Sequence, residues 1–146
     1  MRKLYSSGSS WETKIGYSRA VSVGDTLYIS ATAATGPDGK LVGDDVFTQT
    51  RHILKKLEGV LKDAGFEISD VVQSRLYLTD IKQWEEAGRA HGEVFGAIRP
   101  ALTLLHVLPF LDPAMLIEIE LTAVKGRQVS TSDPARLLRP QNKEEG

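Results

Sequence analysis

The sequence contains no cysteine, which excludes a disulfide framework, a thiolate nucleophile and a zinc site built on thiolates. Long apolar runs are also missing, because no stretch approaches the roughly 18 residues that a membrane-spanning helix requires. The N-terminal segment, MRKLYSSGSSWETK, has no apolar core of signal-peptide length. We therefore expect a cytoplasmic protein with no membrane partner.

An excess of charge of either sign is absent as well. The 18 basic and 19 acidic side chains leave a formal net charge of -1, so no bulk positive field attracts nucleic acid. The three histidines, His52, His91 and His106, are scattered and lack the spacing of metal ligands. No phosphate-binding glycine loop and no Ser/His/Asp order is recognisable. We expect neither a metal nor a nucleic-acid partner.

The composition that remains is that of one ordinary domain. The 146 residues are 41% hydrophobic and 25% charged, which is typical of a single globular unit. We place this domain at residues 1–125. The remainder, 126–146, is polar, holds two of the six prolines and shows no periodicity, so an extended or mobile tail is predicted there.

Local patterns predict the elements of the first half. Alternating apolar and polar residues indicate strands over 19–23 and 26–33, joined by a tight turn at Gly24-Asp25. Apolar residues at helical spacing predict a helix over 45–64. Gly65 follows, at the position where helices often end in a left-handed residue.

The second half adds three strands and a helix. A β-branched and aromatic run predicts a strand over 71–78. Asp80, with Gln83 three residues later, is typical of a cap and predicts a helix over 81–96, which the pair Arg99-Pro100 follows. The last strands are predicted over 101–108 and 115–124, joined by a turn rich in proline.

The predicted order is therefore β-β-α-β-α-β-β, an α+β subunit in which a mixed sheet carries two helices on one face. In the predicted strand 101–108, both alternating sets of side chains are apolar. Two helices can cover only one face of such a sheet, so the other face needs a second cover. Either another copy of the sheet or the folded-back tail provides it, and we favour self-association.

Glu118 and Glu120 lie two residues apart in the last predicted strand and so share one face. The sequence shows no basic residue opposite them. Solvation of both carboxylates is one interpretation, but the apolar flanks favour partial burial for one, where a carboxylate can orient water or act as a base. We take Glu120 as the candidate. Arg19, Arg75 and Arg99 could each bind a carboxylate or phosphate, or form surface salt bridges.

The predicted helix 81–96 has a glycine at every fourth position, Gly88, Gly92 and Gly96. Each internal glycine costs about 0.5–1 kcal/mol relative to alanine, so the strip suggests close approach of another backbone or a ligand, although Gly96 suits a C-terminal cap. His91 is expected to be a hydrogen-bonded core or interface residue. The apolar stripe of this helix is predicted to be Trp84, Ala87, His91 and either Val94 or Phe95.

Three segments of the chain follow one another in a characteristic order: YSRAVSVGDTLYIS, QTRHILKKLEGVLKDAGFEISDVVQSRLYLTDIKQWEE and RPALTLLHVLPFLDPAMLIEIELTAV. In this order they resemble the RidA (YjgF) family over about residues 16–125. The resemblance implies a chorismate-mutase-like α+β subunit, a homotrimer whose sheets face an internal barrel, and ligand clefts between subunits.

In the deaminase branch of that family, a cleft binds the imine or enamine of an amino acid, and water hydrolyses it to a keto acid and ammonia without a metal or organic cofactor. The resemblance carries three cleft residues over to Tyr17, Ser30 and Glu120, of which Glu120 would position the attacking water. Three other positions depart from the family pattern. The carboxylate-binding arginine falls on Leu102, the helix asparagine on Gly88, and a small residue or cysteine on Leu104.

These departures make the expected site more apolar and, at Gly88, roomier. Because leucine cannot pair with a carboxylate, we expect a small-molecule ligand in the inter-subunit clefts and an imine or enamine substrate other than the usual 2-imino acids, unless Arg19 or Arg89 replaces the arginine. One alternative is a non-catalytic trimer that binds or senses a neutral apolar metabolite. Another is the endoribonuclease activity attached to some members of the family.

Overall fold

The computed structural model describes residues 1–126, so the predicted tail lies almost wholly outside the described residues. The described part is a six-stranded sheet with three α-helices and two short 3-10 turns, at Ile68–Asp70 and Ile81–Gln83. The strands are β1 (Arg2–Tyr5), β2 (Ala20–Val23), β3 (Thr26–Thr32), β4 (Val71–Leu78), β5 (Ala101–His106) and β6 (Ile117–Val124), and the helices are α1 (Ser10–Ile15), α2 (Val46–Asp63) and α3 (Trp84–Phe95).

The strands lie in the order β1-β2-β3-β6-β4-β5. β4 and β5 are parallel and are joined through α3, whereas β6 runs antiparallel to both β3 and β4. β3 and β4 are therefore parallel to each other and are joined through α2, the crossover arrangement expected of strand-helix-strand units. The predicted mixed sheet with two main helices is confirmed. The chain returns to the middle of the sheet only in its last strand.

Strict alternation in β6 explains how the sheet acquires two different faces. Ile117, Ile119, Leu121 and Ala123 are buried, while the residues between them are half-buried. The buried set joins apolar side chains of α2 and α3 in one core. Successive strand residues point to opposite sides, so Glu118 and Glu120 lie on the side that the helices do not cover.

The local chemistry of α2 accounts for its bounds. The Asp45 carboxylate accepts hydrogen bonds from the Thr48 N–H at 2.7 Å and the Thr48 hydroxyl at 2.9 Å, which satisfies a free donor of the first turn. At the other end, Gly65 has φ 79°, a left-handed conformation that glycine adopts without strain. The predicted helix 45–64 is confirmed to within one residue at each end. Its buried apolar stripe is Ile53, Leu54, Leu57 and Leu61.

Two N-terminal elements were not predicted. β1 pairs antiparallel with β2 at the edge of the sheet, and α1 follows it. Ser9 caps α1 by accepting a hydrogen bond from the Trp11 N–H, and Gly16 ends the helix at φ 87°. Both elements are short and polar, so apolar periodicity could not reveal them. The spacing of Ser9 and Glu12 does match a helix-start signal.

The predicted helix 81–96 begins differently from the prediction. A 3-10 turn occupies Ile81–Gln83, Asp80 accepts from the Lys82 N–H, and the α-helix starts only at Trp84. Trp84 is consequently 54% exposed and is not part of the buried stripe. The prediction that Trp84 belongs to this stripe was therefore wrong. The rest of the stripe is correct, because Ala87, His91 and Phe95 are buried.

The face of the sheet opposite the helices is left uncovered by the described residues. We call it the open face and define it by Tyr28, Arg75, Tyr77, Glu118 and Glu120. Apolar side chains on the open face are substantially exposed, including Leu4, Val23, Tyr28 and Leu105.

No helix within residues 1–126 is long and apolar enough to cross a membrane.

Glu12 ties α1 to the loop before it. Its carboxylate accepts hydrogen bonds from the N–H and the hydroxyl of Ser7, and the residue is only 7% exposed. Burial by itself raises the pKa of Glu12, but the Ser7 hydrogen bonds and the nearby Arg19 lower it overall, below its usual 4.5. The folded state is therefore stabilised by the charged form.

We expect Glu12→Gln to lower the free energy of unfolding at pH 7 by about 1 kcal/mol, since a neutral amide accepts these hydrogen bonds less well. A carboxyl with a lowered pKa stabilises the fold above its ordinary pKa and loses that contribution as pH falls through its folded-state pKa. Urea unfolding of both proteins, from about pH 7 to about pH 3, should show the difference shrinking with acid. A difference that stays constant would contradict the role of the charge.

Candidate functional site

Glu120 stands beside an arginine and a tyrosine of the neighbouring strand. β4 places Arg75 directly across from Glu120, and Arg75 Nη1 lies 3.6 Å from Glu120 Oε1. The Tyr77 hydroxyl donates a hydrogen bond to the same oxygen. The expectation that no basic residue stands opposite the carboxylates was therefore wrong, because the opposing residue comes from β4, far away in the sequence.

Tyr77 holds Glu120 over a wide pH range. Its pKa is raised, first because the hydroxyl donates to Glu120, then by burial and by the negative charge of Glu120. A phenol with a raised pKa stays protonated through neutral and mildly alkaline pH, so its hydrogen bond persists. Both known contacts of Glu120 fall on Oε1. Within residues 1–126, Oε2 has no hydrogen-bond partner.

Glu118 is the nearer neighbour of Tyr77 in register but has a different environment. Burial raises the pKa of Glu118, and the positive charge of Arg19 opposes that rise. Its neutral form is thus easier to reach than that of an ordinary glutamate. The two carboxylates that the sequence placed on one face therefore differ, and only Glu120 is held by hydrogen bonding from another side chain.

On its other side, Glu120 is flanked by an irregularity in the β3–β6 pairing. The register shifts between Ile29 and Thr32, so Ser30 and Ala31 form a bulge beside Glu120. Bulges commonly re-aim side chains next to functional sites. Arg19 stabilises this one, because its Nη1 donates to the Ala31 carbonyl at 2.9 Å and contacts the Thr32 hydroxyl at 3.0 Å.

Tyr17 and Ser30 lie close together at the same end of the sheet. The Ser30 hydroxyl donates to the Ser18 carbonyl at 2.7 Å, so its one hydrogen is already used. The Arg19 guanidinium lies 5.8 Å from the centre of the Tyr17 ring. Ser30 and Arg19 thus hold the loop that carries Tyr17. Tyr17 and Ser30 line a surface depression of about 530 Å³ together with Arg2, Leu4, Glu12, Thr13, Gly16, Ser18 and Val21.

The three remaining predicted site residues lie on the other side of the sheet. Leu102 is the register partner of Ser74, whose hydroxyl lies 2.8 Å from His91 Nε2 of α3. Leu102 is 50% exposed, while Leu104 is half-buried against the core. Gly88 is on α3, which packs on this same side. A single chain therefore brings Tyr17 and Ser30 together, but separates Glu120 from Gly88, Leu102 and Leu104.

Two glycines of the strip on α3, Gly88 and Gly92, have no close neighbour within the described residues. A Cβ built on Gly88 or Gly92 would meet no atom within 4 Å, apart from the helix itself. Within residues 1–126, no close backbone approach explains Gly88 or Gly92. Gly96 is the C-cap of α3, as expected, although its dihedrals are right-handed, φ -55° and ψ -35°. His91 is buried, as predicted, and burial lowers its pKa.

Arg89, one of the two arginines considered as replacements at position 102, is directed elsewhere. Its guanidinium lies 3.7 Å from the centre of the Phe47 ring on α2, and its Nη2 is 2.8 Å from Glu86. Sequence reasoning included Arg75 only as one of three general candidates and missed Tyr77. The aromatic and basic residues at alternate positions of VVQSRLYL are the signal that both lie on one face.

Residues 1–126 contain no group of three or more His, Cys, Asp or Glu side chains arranged to hold a metal ion. The residues that carry chemistry near Glu120 are Arg75 and Tyr77. A partly exposed carboxylate between a phenol and a guanidinium can accept a proton from water and can hold a cationic or hydrogen-bond-donating ligand. Such a cluster suits the addition or removal of water at a small electrophile.

The fold is that of a known family. Residues 8–125 match the family model described as Endoribonuclease L-PSP, and the chain belongs to this family, which includes the YjgF, RutC and RidA proteins. The family assignment made from the sequence is confirmed.

Individual relatives support the assignment. A human 2-iminobutanoate/2-iminopropanoate deaminase is 32% identical over 117 residues, which span 80% of this chain and 85% of the relative. An uncharacterized protein of Streptomyces coelicolor is 33% identical over 120 residues, 82% of this chain and 90% of the relative. The crystal structure of a Mycobacterium tuberculosis member of the YjgF/YER057c/UK114 family aligns with a TM-score of 0.77 at 40% identity, and the alignment covers 85% of this chain and 99% of that one.

Proposed function

We propose that this chain hydrolyses a small imine or enamine to a carbonyl compound and ammonia, without a cofactor, in clefts between the subunits of a cytoplasmic homotrimer. The observation that carries the proposal is Glu120. One of its oxygens is held by Tyr77 and Arg75, and Oε2 has no partner within residues 1–126. The human relative, which is named as an imine deaminase, supports the reaction class.

The reaction is redox-neutral and needs only water. Glu120 Oε2 accepts a proton from a water molecule, whose oxygen attacks the carbon of the protonated imine; a carbon–oxygen bond forms and the carbon–nitrogen double bond becomes single. The amine nitrogen of the resulting carbinolamine takes up that proton, the carbon–nitrogen bond breaks and ammonia leaves. Glu120 accepts the hydroxyl proton as the carbonyl forms, and this proton passes to the ammonia. A positioned general base contributes about 10²- to 10⁴-fold to such a step. Tyr77 fixes the carboxylate in place without consuming Oε2.

The positions of the expected site residues favour a cleft between two copies of the chain. The retained residues Tyr17 and Glu120 belong to the open-face side, whereas Gly88 and Leu102 lie on the helix side of the sheet. One chain cannot unite them, but the open face of one copy against the edge strand β5 of another can. Exposed apolar side chains on the open face, such as Tyr28 at 55% and Leu105 at 39% exposure, favour burial in an assembly.

The leucine at position 102 affects which substrates we expect. It offers no guanidinium to a substrate carboxylate, so substrates are expected to differ from the usual 2-imino acids unless another arginine replaces the missing one. The exposed leucines of β5 also favour a second candidate, a non-catalytic protein that binds a neutral apolar metabolite in the same clefts. The net charge of -1 gives RNA no general attraction, so we rank RNA cleavage, the activity in the family's name, below both.

The test is a direct assay. 2-Iminobutanoate and a neutral imine of similar size are each generated in situ, and their disappearance is timed by competition with a carbonyl-trapping reagent. We expect the protein to accelerate hydrolysis of at least one of the two. The molar mass in solution, measured by light scattering, is expected to be three times the mass of one chain.

The matched control is Arg51→Leu, on the helix side and away from the open face. Arg51 is exposed and paired with Glu93 at 3.4 Å, so its removal should leave the rate unchanged. If neither imine disappears faster with wild-type protein than without it, the hydrolase proposal is wrong. Thermal stabilisation by neutral apolar compounds, in preference to carboxylates, would then support the binding protein.

A further inference from the structure

Arg75 is the one guanidinium that residues 1–126 place against Glu120. We propose that Arg75 is the anion anchor of this site and receives the carboxylate of a small α-imino or α-keto acid. The role that the family gives to position 102 on β5 would thus be filled from β4, on the opposite side of the sheet. This inference rests on the proposed function, because it assigns the substrate class of the same cleft.

The other arginines considered for this role are already engaged. Arg19 donates to the Ala31 carbonyl and the Thr32 hydroxyl, which turns its guanidinium toward the bulge in β3. Arg89 stacks on Phe47 and pairs with Glu86 on the helix side. Neither contacts Glu120. A substrate that reacts beside Glu120 therefore meets Arg75 first.

Arg75 has capacity left for a ligand. Its side chain is 41% exposed, and its contact with Glu120 is a single 3.6 Å approach of Nη1 and not a two-pronged pair. A guanidinium carries five N–H donors in a planar fork that matches a carboxylate. Within residues 1–126, no hydrogen bond uses the remaining donors of Arg75. The fork is available on the open face.

The charges of the pair match those of the ligand class. A protonated α-imino acid carries a positive nitrogen and a negative carboxylate on adjacent carbons. Side by side, Glu120 and Arg75 present the opposite signs in the same close spacing. The carboxylate on Arg75 and the nitrogen toward Glu120 would place the imine carbon next to the water that Glu120 activates. When a protonated α-imino acid binds, the Arg75–Glu120 ion pair is replaced by two ion pairs, one from each residue to the ligand. No charge is then left unpaired.

The role of Arg75 is tested by measuring both ligand affinity and the kinetics of imine hydrolysis. The binding probes are 2-oxobutanoate and its neutral amide, measured by isothermal titration with the full chain. We expect Arg75→Leu to weaken carboxylate binding about 10- to 100-fold while amide binding is unchanged, and Arg75→Lys to restore part of the loss. KM for 2-iminobutanoate should rise in parallel. Arg89→Leu is the matched control and should leave carboxylate binding intact.

Several results would overturn the assignment. They are an unchanged carboxylate affinity in Arg75→Leu, an equal loss for carboxylate and amide, the loss appearing in Arg89→Leu instead, or no measurable carboxylate binding by the wild type. A thermal melt of Arg75→Leu identifies misfolding, and Arg75→Lys then decides. If wild-type protein hydrolyses no imine, the proposed function is wrong. The binding data still show in that case whether Arg75 binds the carboxylate. If imines are hydrolysed but Arg75→Leu does not discriminate, only this inference fails.

Discussion

Replacement of Glu120 by glutamine is expected to lower kcat for imine hydrolysis by about 10²- to 10⁴-fold, the usual contribution of a positioned general base. Glutamine keeps the shape of the side chain and can still accept the hydrogen bond from Tyr77. It cannot take a proton from water. The loss should therefore appear in kcat, and any accompanying rise in KM reports the ion pair with the imine nitrogen, which glutamine cannot form.

Glu118→Gln is the matched control for this prediction. Glu118 is on the same strand and the same face, two residues away, and burial raises its pKa. A neutral amide is thus a mild change there, and we expect kcat to fall far less than in Glu120→Gln. Steady-state kinetics on both variants make the comparison. Equal losses, or a Glu120→Gln variant with wild-type kcat, would show that this carboxylate does not activate the water.

The largest expected effect on stability comes from Leu76→Ala. Leu76 is fully buried in the middle of β4, between the sheet and the helices. Truncation of a buried leucine to alanine removes apolar contacts and leaves a cavity, which costs about 2–5 kcal/mol. Urea unfolding at one fixed protein concentration measures the loss, because assembly makes apparent stability depend on concentration.

Leu111→Ala provides the comparison. Leu111 lies in the loop between β5 and β6 and is fully exposed. A surface substitution of this kind changes the free energy of unfolding by about 0.5 kcal/mol or less. If Leu76→Ala were as stable as the wild type, the core described here would not be the one that holds the fold together. An equally large loss in Leu111→Ala would instead mean that its loop is buried in the assembly.

The parts of the fold that local patterns encode could be predicted from the sequence. The apolar stripe and the Asp45 cap define α2, and alternation defines β6, so their bounds agree with the structure to within two residues. β1 depends on pairing with β2, which is a contact between distant segments. The start of α3 was predicted too early because Asp80 caps a 3-10 turn, and the α-helix begins only after it, with Gln83 at its own N-cap position.

The site was predicted only as far as the resemblance reached. Position 102 and Glu120 follow from motifs in one continuous stretch. The pairing of Glu120 with Arg75 does not, because it requires β6 to insert between β3 and β4 in one particular register. A shift of one residue would turn every side chain of β6 to the other face. That register is set by tertiary packing of Ile117, Ile119 and Leu121, far from any local signal.

The sheet backbone that separates Glu120 from Leu102 also separates two kinds of substitution by their structural effect. Glu120, Tyr77 and Arg75 sit in the middle of the sheet on one side, whereas Leu102 sits at a half-exposed edge on the other. Substitutions at the edge alter the wall of the proposed cleft without disturbing the hydrogen bonds around the carboxylate. Such a layout lets a change in the accepted ligand occur without any change in the proposed reactive centre or the core.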